Sequence, residues 1–348
     1  MKILCISSEG IGNAILYVPV VKTLGQSYPG CAIDICVSST AAAEVFGGLP
    51  SVRNIITLNK RTSNTVQLVK TVCRLRCEHY DLIITSYLDK GIKVALFVSL
   101  IGAKKSVGFR NGWWSWLYTQ AVPVPQLSHE VSMNLLLTDA LGADTRVTDT
   151  TISVEQAHRD RASLFIAEKL PASPRFIGIH PGSGINLGRR SKRWPADRFA
   201  GLIQQVHEQL KMRCVVFGGP DETELVSTVC QMAHDVNPVP AVGGTCSLCD
   251  VAALIQRCEM FVSNDSGLMH VAAAMKVPTV AIFGPTIPQK NSPWEVPHRI
   301  VRKELPCSPC YAMHKISCDT YECLNLIMVD DVMGAITDLA LSMRGIHA

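Results

Sequence analysis

The chain is written as short, nearly uninterrupted apolar runs, each followed by a stretch with helical patterning, and this alternation begins twice. In the first series, residues 2–7, 32–37, 81–86 and 106–109 read as strands, with helices at 14–26 (Pro19 inside), 40–46 and 91–100. The second series starts after Arg175. Its strands are 176–180, 213–218, 259–263, 279–283 and 299–302, and its helices 196–210, 222–233 and 266–275. Strands that are apolar on both sides belong to a parallel sheet covered by helices on both faces.

The expected fold class is therefore α/β, with two Rossmann-like doubly wound domains facing across a cleft. A chain of 348 residues accommodates both. Residues 153–173 read as a connecting helix, closed by Pro171 and Pro174. The expected division is 1–165, then 174–328, with a C-terminal helical segment, 329–348, as a candidate to pack back on the first domain. Ligands of such sheets gather in the loops at the carboxyl ends of the strands.

Composition excludes several classes. At 47% hydrophobic and 18% charged residues the chain is not disordered, and it has no apolar run of 18 residues. The start, MKILCIS, lacks the long apolar region of a signal peptide, so a cytosolic location is expected. A net charge of +4 suits an anionic substrate or membrane surface and is too weak to argue for nucleic acid.

Fourteen cysteines without an export signal read as buried thiols or metal ligands. Cys5, Cys31, Cys36, Cys214 and Cys258 lie in apolar patterns and read as core. Cys307, Cys310, Cys318 and Cys323 share a 17-residue segment, a spacing at which four thiolates can close a structural zinc or iron site. The second half lacks a Cys-x₂-Cys pair, so reduced thiols remain the alternative. Cys246-x₂-Cys249 opens a helix and reads as coincidental.

Three loops carry the chemistry. Asn264, Asp265, Ser266 and Gly267 form a polar turn between a strand and a helix that holds His270; the unsatisfied N–H groups of such a helix start attract phosphate. Asp265 would repel an anion unless it caps the helix or contacts a sugar hydroxyl. The alternative is an ordinary helix cap with His270 as a core residue. The second loop, His180 to Gly184, places Ser183 between glycines and is followed by Arg189, Arg190, Lys192 and Arg193, cations enough to neutralise a diphosphate. A solvated basic loop is the plainer reading. In the third, Gly218-Gly219-Pro220-Asp221-Glu222, a carboxylate is placed to accept from ribose hydroxyls or merely decorates a helix start.

HPGSG…KRWP, GGPDE, SNDSGLMHVAAAMKVPTVAIFGPT and the N-terminal MKILCIS…GIGN together resemble glycosyltransferase family 9, the ADP-heptose:lipopolysaccharide heptosyltransferases. The resemblance covers nearly the whole chain. It implies a GT-B fold and an inverting transfer that needs no catalytic metal or other cofactor. The nucleotide-diphosphate sugar, ADP-heptose by resemblance, would sit on the C-terminal domain, and a lipopolysaccharide-core or related glycan acceptor on the N-terminal one. Lys192 would contact the diphosphate with Ser183 beside it and Glu222 would hold the ribose. Asn264, Asp265, Ser266, Gly267 and His270 would surround the phosphates and the transferred sugar. Cys-rich inserts at this position recur in some members. Independently, the sequence has no Asp-x-Asp motif to hold a divalent ion, so cations and a helix dipole would stabilise the leaving group. Two alternatives stay open: a relative with another nucleotide-sugar donor or a protein or small-molecule acceptor, and a catalytically weak nucleotide-sugar-binding protein.

One departure bears on mechanism. The family usually has Gly-Asp in the first loop, the Asp being the expected general base; here the pair is Gly12-Asn13. An amide cannot take a proton. Glu9, in the same loop, and Asp89 are the expected replacements. On the acceptor side Lys60, Arg61, Lys104, Lys105 and Arg110, with Trp113, Trp114 and Trp116, suit an anionic glycolipid at the cytoplasmic face of the inner membrane. Otherwise they are core tryptophans and a solvated charged loop, Trp116 being more core-like than Trp113.

Overall fold

The computed structural model describes residues 1–58, 65–124, 127–171, 175–184, 192–242, 247–310, 318 and 320–344. It separates into two compact units, Met1–Ser153 and Val154–Ala348.

In the first unit, β1 (Lys2–Ser7), α1 (Ile11–Ser27), β2 (Ala32–Val37), α2 (Thr40–Glu44), β3 (Val52–Thr57), α3 (Thr65–Cys77), β4 (Leu82–Thr85), α4 (Ile92–Ile101), β5 (Lys105–Arg110), β6 (Gln120–Pro123) and α5 (Glu130–Asp139) follow in order. A 3₁₀ turn at Trp113–Leu117 joins β5 to β6. The sheet runs β3-β2-β1-β4-β5-β6, all parallel. The direction of strand addition reverses between β1 and β4, and ligands of doubly wound sheets bind outside such a switch. Helix α1 packs on α5, whereas α3 packs on α4 and α4 on the 3₁₀ turn. Ile3, Leu4, Ile83 and Val107 are fully buried, which is why these strands read as apolar runs.

The second unit contains α6 (Gln156–Lys169), β7 (Phe176–His180), α7 (Ala196–Leu210), β8 (Arg213–Gly218), α8 (Thr223–Met232), β9 (Val239–Val242), α9 (Leu248–Ile255), β10 (Met260–Asn264), α10 (Gly267–Ala274), β11 (Thr279–Ile282), α11 (Pro288–Asn291), β12 (His298–Val301), α12 (Glu322–Asn325) and α13 (Val329–Arg344). Its parallel sheet, β12-β11-β10-β7-β8-β9, has its switch between β7 and β10. Trp194, Phe199, Val216 and Val262 centre the core with Leu324, Ile336 and Leu339.

Two expected boundaries move. The division falls at 153/154 rather than 165, because α6 packs on α9: Asp250 takes His158 at 2.8 Å and Arg161 at 2.6 Å. Helix α13 was a candidate for the first domain, but its apolar face lies on α7, β11 and β12 of its own unit.

Candidate active site

At the switch of the second unit, the loops after β7 and β10 are stitched together by buried polar groups. Asn264, fully buried, donates its Nδ2 to the carbonyls of Pro181 (2.9 Å) and Gly182 (3.2 Å) and accepts from the Trp194 N–H at 3.0 Å. His180 sits between them. Its Nε2 lies 2.9 Å from Glu222 Oε2 and its Nδ1 2.9 Å from Ser266 Oγ. The carboxylate only accepts, so Nε2 carries a proton and donates to it.

Two cations enter the junction, each facing a carboxylate. Lys192 Nζ is 2.8 Å from Asp265 Oδ2. Arg193 Nη2 reaches Glu222 Oε1 at 3.1 Å and the Ser183 carbonyl at 3.0 Å. Burial pushes the Glu222 carboxyl up, but the His180 hydrogen bond and charge, the Gly219 N–H and Arg193 outweigh it and bring it down to about 2. Burial likewise opposes ionisation of Asp265, and Lys192, His270 and the Thr286 hydroxyl overcome it, holding Asp265 below the usual range. Gly182 has no room for a side chain: a Cβ there would lie 1.9 Å from Glu222 Oε1.

Asp265 does not cap the helix, as one expectation had it. The cap of α10 is Ser266, whose side chain accepts from the Met269 N–H, leaving Asp265 to hold Lys192. His270 is buried on α10 and is one of the groups that hold Asp265 below its usual range. Sequence reasoning placed Ser183, Lys192, Glu222, Asn264, Asp265, Ser266, Gly267 and His270 here, and they do meet. It missed His180 and Arg193 as individual contributors; the signal was the His that ends β7 and opens HPGSG.

At the switch of the first unit, Asp89 is 1% exposed and anchors the loop after β1. Its carboxylate accepts from the Ser8 N–H (2.8 Å), the Ser8 hydroxyl and the Ser86 hydroxyl (2.7 Å). Glu9 is half-buried, and its carbonyl accepts from Ser38 Oγ at 2.6 Å. Gly12 and Asn13 open α1, and Asn13 Nδ2 donates to Glu130 Oε1 at 2.9 Å.

A family model described as glycosyltransferase family 9 (heptosyltransferase) matches residues 68–319, well over half of the chain. The chain belongs to glycosyltransferase family 9. It is accordingly a glycosyltransferase. It is 27% identical to lipopolysaccharide heptosyltransferase 3 of Escherichia coli K12 over 81% of this chain and 82% of that one. Among solved structures, a family 9 glycosyltransferase from Veillonella parvula superposes with a TM-score of 0.85, at 22% identity, over 98% of this chain and 97% of that one. An E. coli heptosyltransferase solved with ADP gives a TM-score of 0.73 at 20% identity, over 97% and 100% of the two chains. The fold is thus GT-B.

In this family 9 chain Cys307, Cys310, Cys318 and Cys323 form no disulfide, and among the described residues no three metal-ligating side chains are grouped. Cys318 Sγ accepts from the Tyr321 N–H at 3.3 Å. Cys323 is buried in the core, which, with the neighbouring thiols, pushes it up to about 11. Lys60, Arg61, Arg189, Arg190 and Cys246 lie outside the described residues.

Proposed function

We propose that this family 9 enzyme transfers a heptose from ADP-heptose to a lipopolysaccharide-core or related glycan acceptor, with inversion and without a metal cofactor. The observation that carries the reading is the junction of the second unit, where His180 and Asn264 lock two loops together beside the start of α10 and two cations point into it. A helix start offers N–H donors and a favourable dipole to a diphosphate, and Lys192 and Arg193 supply the charge that offsets what grows on it as the glycosidic bond breaks. Lys192 would exchange Asp265 for the donor's phosphate oxygens. That leaves the Asp265 carboxylate for a sugar hydroxyl. The E. coli neighbour solved with ADP supports the choice of nucleotide.

The acceptor is placed with the first unit, in the cytoplasm at the membrane surface. Among the described residues no helix is long and apolar enough to cross a membrane, so such a contact would be peripheral. Ile92, Leu96 and Leu100 form an exposed stripe along α4, beside Trp113 and Trp116, each 72% exposed. Trp116, the more core-like of that pair by sequence, is as exposed as Trp113; it is Trp114 that packs into the core, its Nε1 donating to the Lys90 carbonyl at 3.3 Å. From 92 to 123 the chain carries Lys93, Lys104, Lys105 and Arg110 and no acidic residue. Cations and indoles together suit an anionic lipid surface.

Lys192→Ala tests the reading of the junction. It is expected to lower kcat by about 10²-fold, the usual scale for removing one stabiliser of transition-state charge, while ADP affinity measured by calorimetry falls by a smaller factor. A variant that changes neither places the diphosphate elsewhere. Calorimetry with ADP-, GDP- and UDP-sugars identifies the base, and turnover unchanged in EDTA is expected.

A further inference from the structure

The first loop of this enzyme holds an amide, Asn13, where the family resemblance implies an acid, and an acid stands one hydrogen bond away. Glu130 is the first residue of α5 and is 2% exposed. Its Oε1 accepts from Asn13 Nδ2 at 2.9 Å across 117 residues of sequence. Asn and Asp have the same shape, so Nδ2 occupies the place of a carboxylate oxygen in an Asp at this position. An Asp there would set two carboxylates about 3 Å apart with little solvent, where both cannot be charged. The amide removes the repulsion and becomes a donor that fixes Glu130. Asn13 and Glu130 therefore form one hydrogen-bonded unit, the amide on α1 and the acid on α5.

Other features aim Glu130 at this loop. Asn134, one turn further along α5 and fully buried, donates to the Leu16 carbonyl at 3.3 Å and accepts from the Tyr87 N–H at 2.7 Å, locking α5 to α1 and to the loop after β4. Among the described residues, Lys90 and His129 are charged or titratable groups beside Glu130, and Asp89 adjoins Lys90 in the chain. Lys90 stacks over the Tyr87 ring at 3.8 Å; burial pulls its pKa down and the charge of Glu130 pulls it back. His129 caps α5, its Nδ1 accepting from the Val131 N–H. Asp89 is committed to Ser8 and Ser86.

We propose that Glu130 is the general base of the transfer and that Asn13 is its positioning residue. The inference rests on the glycosyl-transfer reading above. The acceptor O–H bond breaks and its proton goes to the Glu130 carboxylate. The oxygen's electron pair forms the bond to the anomeric carbon, and the bond from that carbon to the diphosphate breaks, its pair leaving on the phosphate oxygen.

The test measures ADP release from ADP-heptose, with deacylated, heptose-truncated lipopolysaccharide or water as the acceptor, in wild type, Glu130→Gln, Asn13→Asp and the double variant. Glu130→Gln should lower kcat by ~10²–10⁴-fold, leave donor KM within threefold and flatten the acid limb of the pH profile. Asn13→Asp in that background should recover at least tenfold, since it returns a carboxylate to within one hydrogen bond. Asn13→Asp alone should move the acid limb to higher pH. A Glu130→Gln turnover within threefold of wild type, or a loss that Asn13→Asp does not relieve, overturns the proposal. Calorimetric binding of ADP to wild type tests the donor reading separately, because failure there does not alter the ratios among variants.

Discussion

Single side chains at the second switch are held by opposed charge. Glu222 takes Arg193, the His180 N–H and a backbone N–H while 7% exposed, an arrangement that stabilises the fold only while the carboxylate is ionised. Its folded value of about 2 lies below the ordinary 4.5. Its contribution is therefore complete above about pH 4.5 and disappears as the pH falls through 2. A tenfold change in proton affinity corresponds to about 1.36 kcal/mol, so the contribution reaches roughly 3 kcal/mol at most. Glu222→Gln should lower the unfolding free energy at pH 7 by an amount of that order, and the gap to wild type should narrow as urea titrations are moved toward pH 2.5. An equal gap at both pH values would show that the carboxylate charge has no part in it. Glu222 and Asp265 were legible in the sequence because they stand in short motifs at strand ends. Glu130 was not: it stands in no motif, and its partner Asn13 is far away along the chain.

At the scale of elements, what the sequence showed depended on burial. Strands β1, β4, β7 and β10 are covered on both sides and read as continuous apolar runs. The edge strands β3 and β9 and the outer β6 are partly exposed, with mixed patterns such as VRNIIT, and were not separable from loops by periodicity. Helix α5 escaped for the opposite reason, being buried around most of its circumference and so without an amphipathic period. Helix α4 shows the reverse imbalance, with an apolar outer stripe that its own unit does not cover. Replacing Leu96 and Leu100 with Glu should weaken sedimentation with phosphatidylglycerol-containing vesicles by at least tenfold, as expected when two leucines lose their burial, and leave Tm within a few degrees. Binding that survives the change, or that is equal on neutral phosphatidylcholine vesicles, removes the membrane role of this face.

Across the whole molecule, two sheets of one topology place two switches, and each gathers its own chemistry: a carboxylate beside an amide in the first unit, paired cations and a helix start in the second. The doubling of the fold was readable because the alternation of strands and helices restarts, whereas the exact division was not, since α6 is largely polar and its ion pairs with α9 tie it to the second unit. The central claim is that one diphosphate seats where the loops after β7 and β10 meet. A crystal structure of the enzyme with ADP-heptose tests it most directly. The account predicts phosphate oxygens within hydrogen-bonding distance of Lys192 and of the backbone N–H groups at the start of α10, with the Lys192–Asp265 contact broken; a diphosphate bound away from both loops contradicts it.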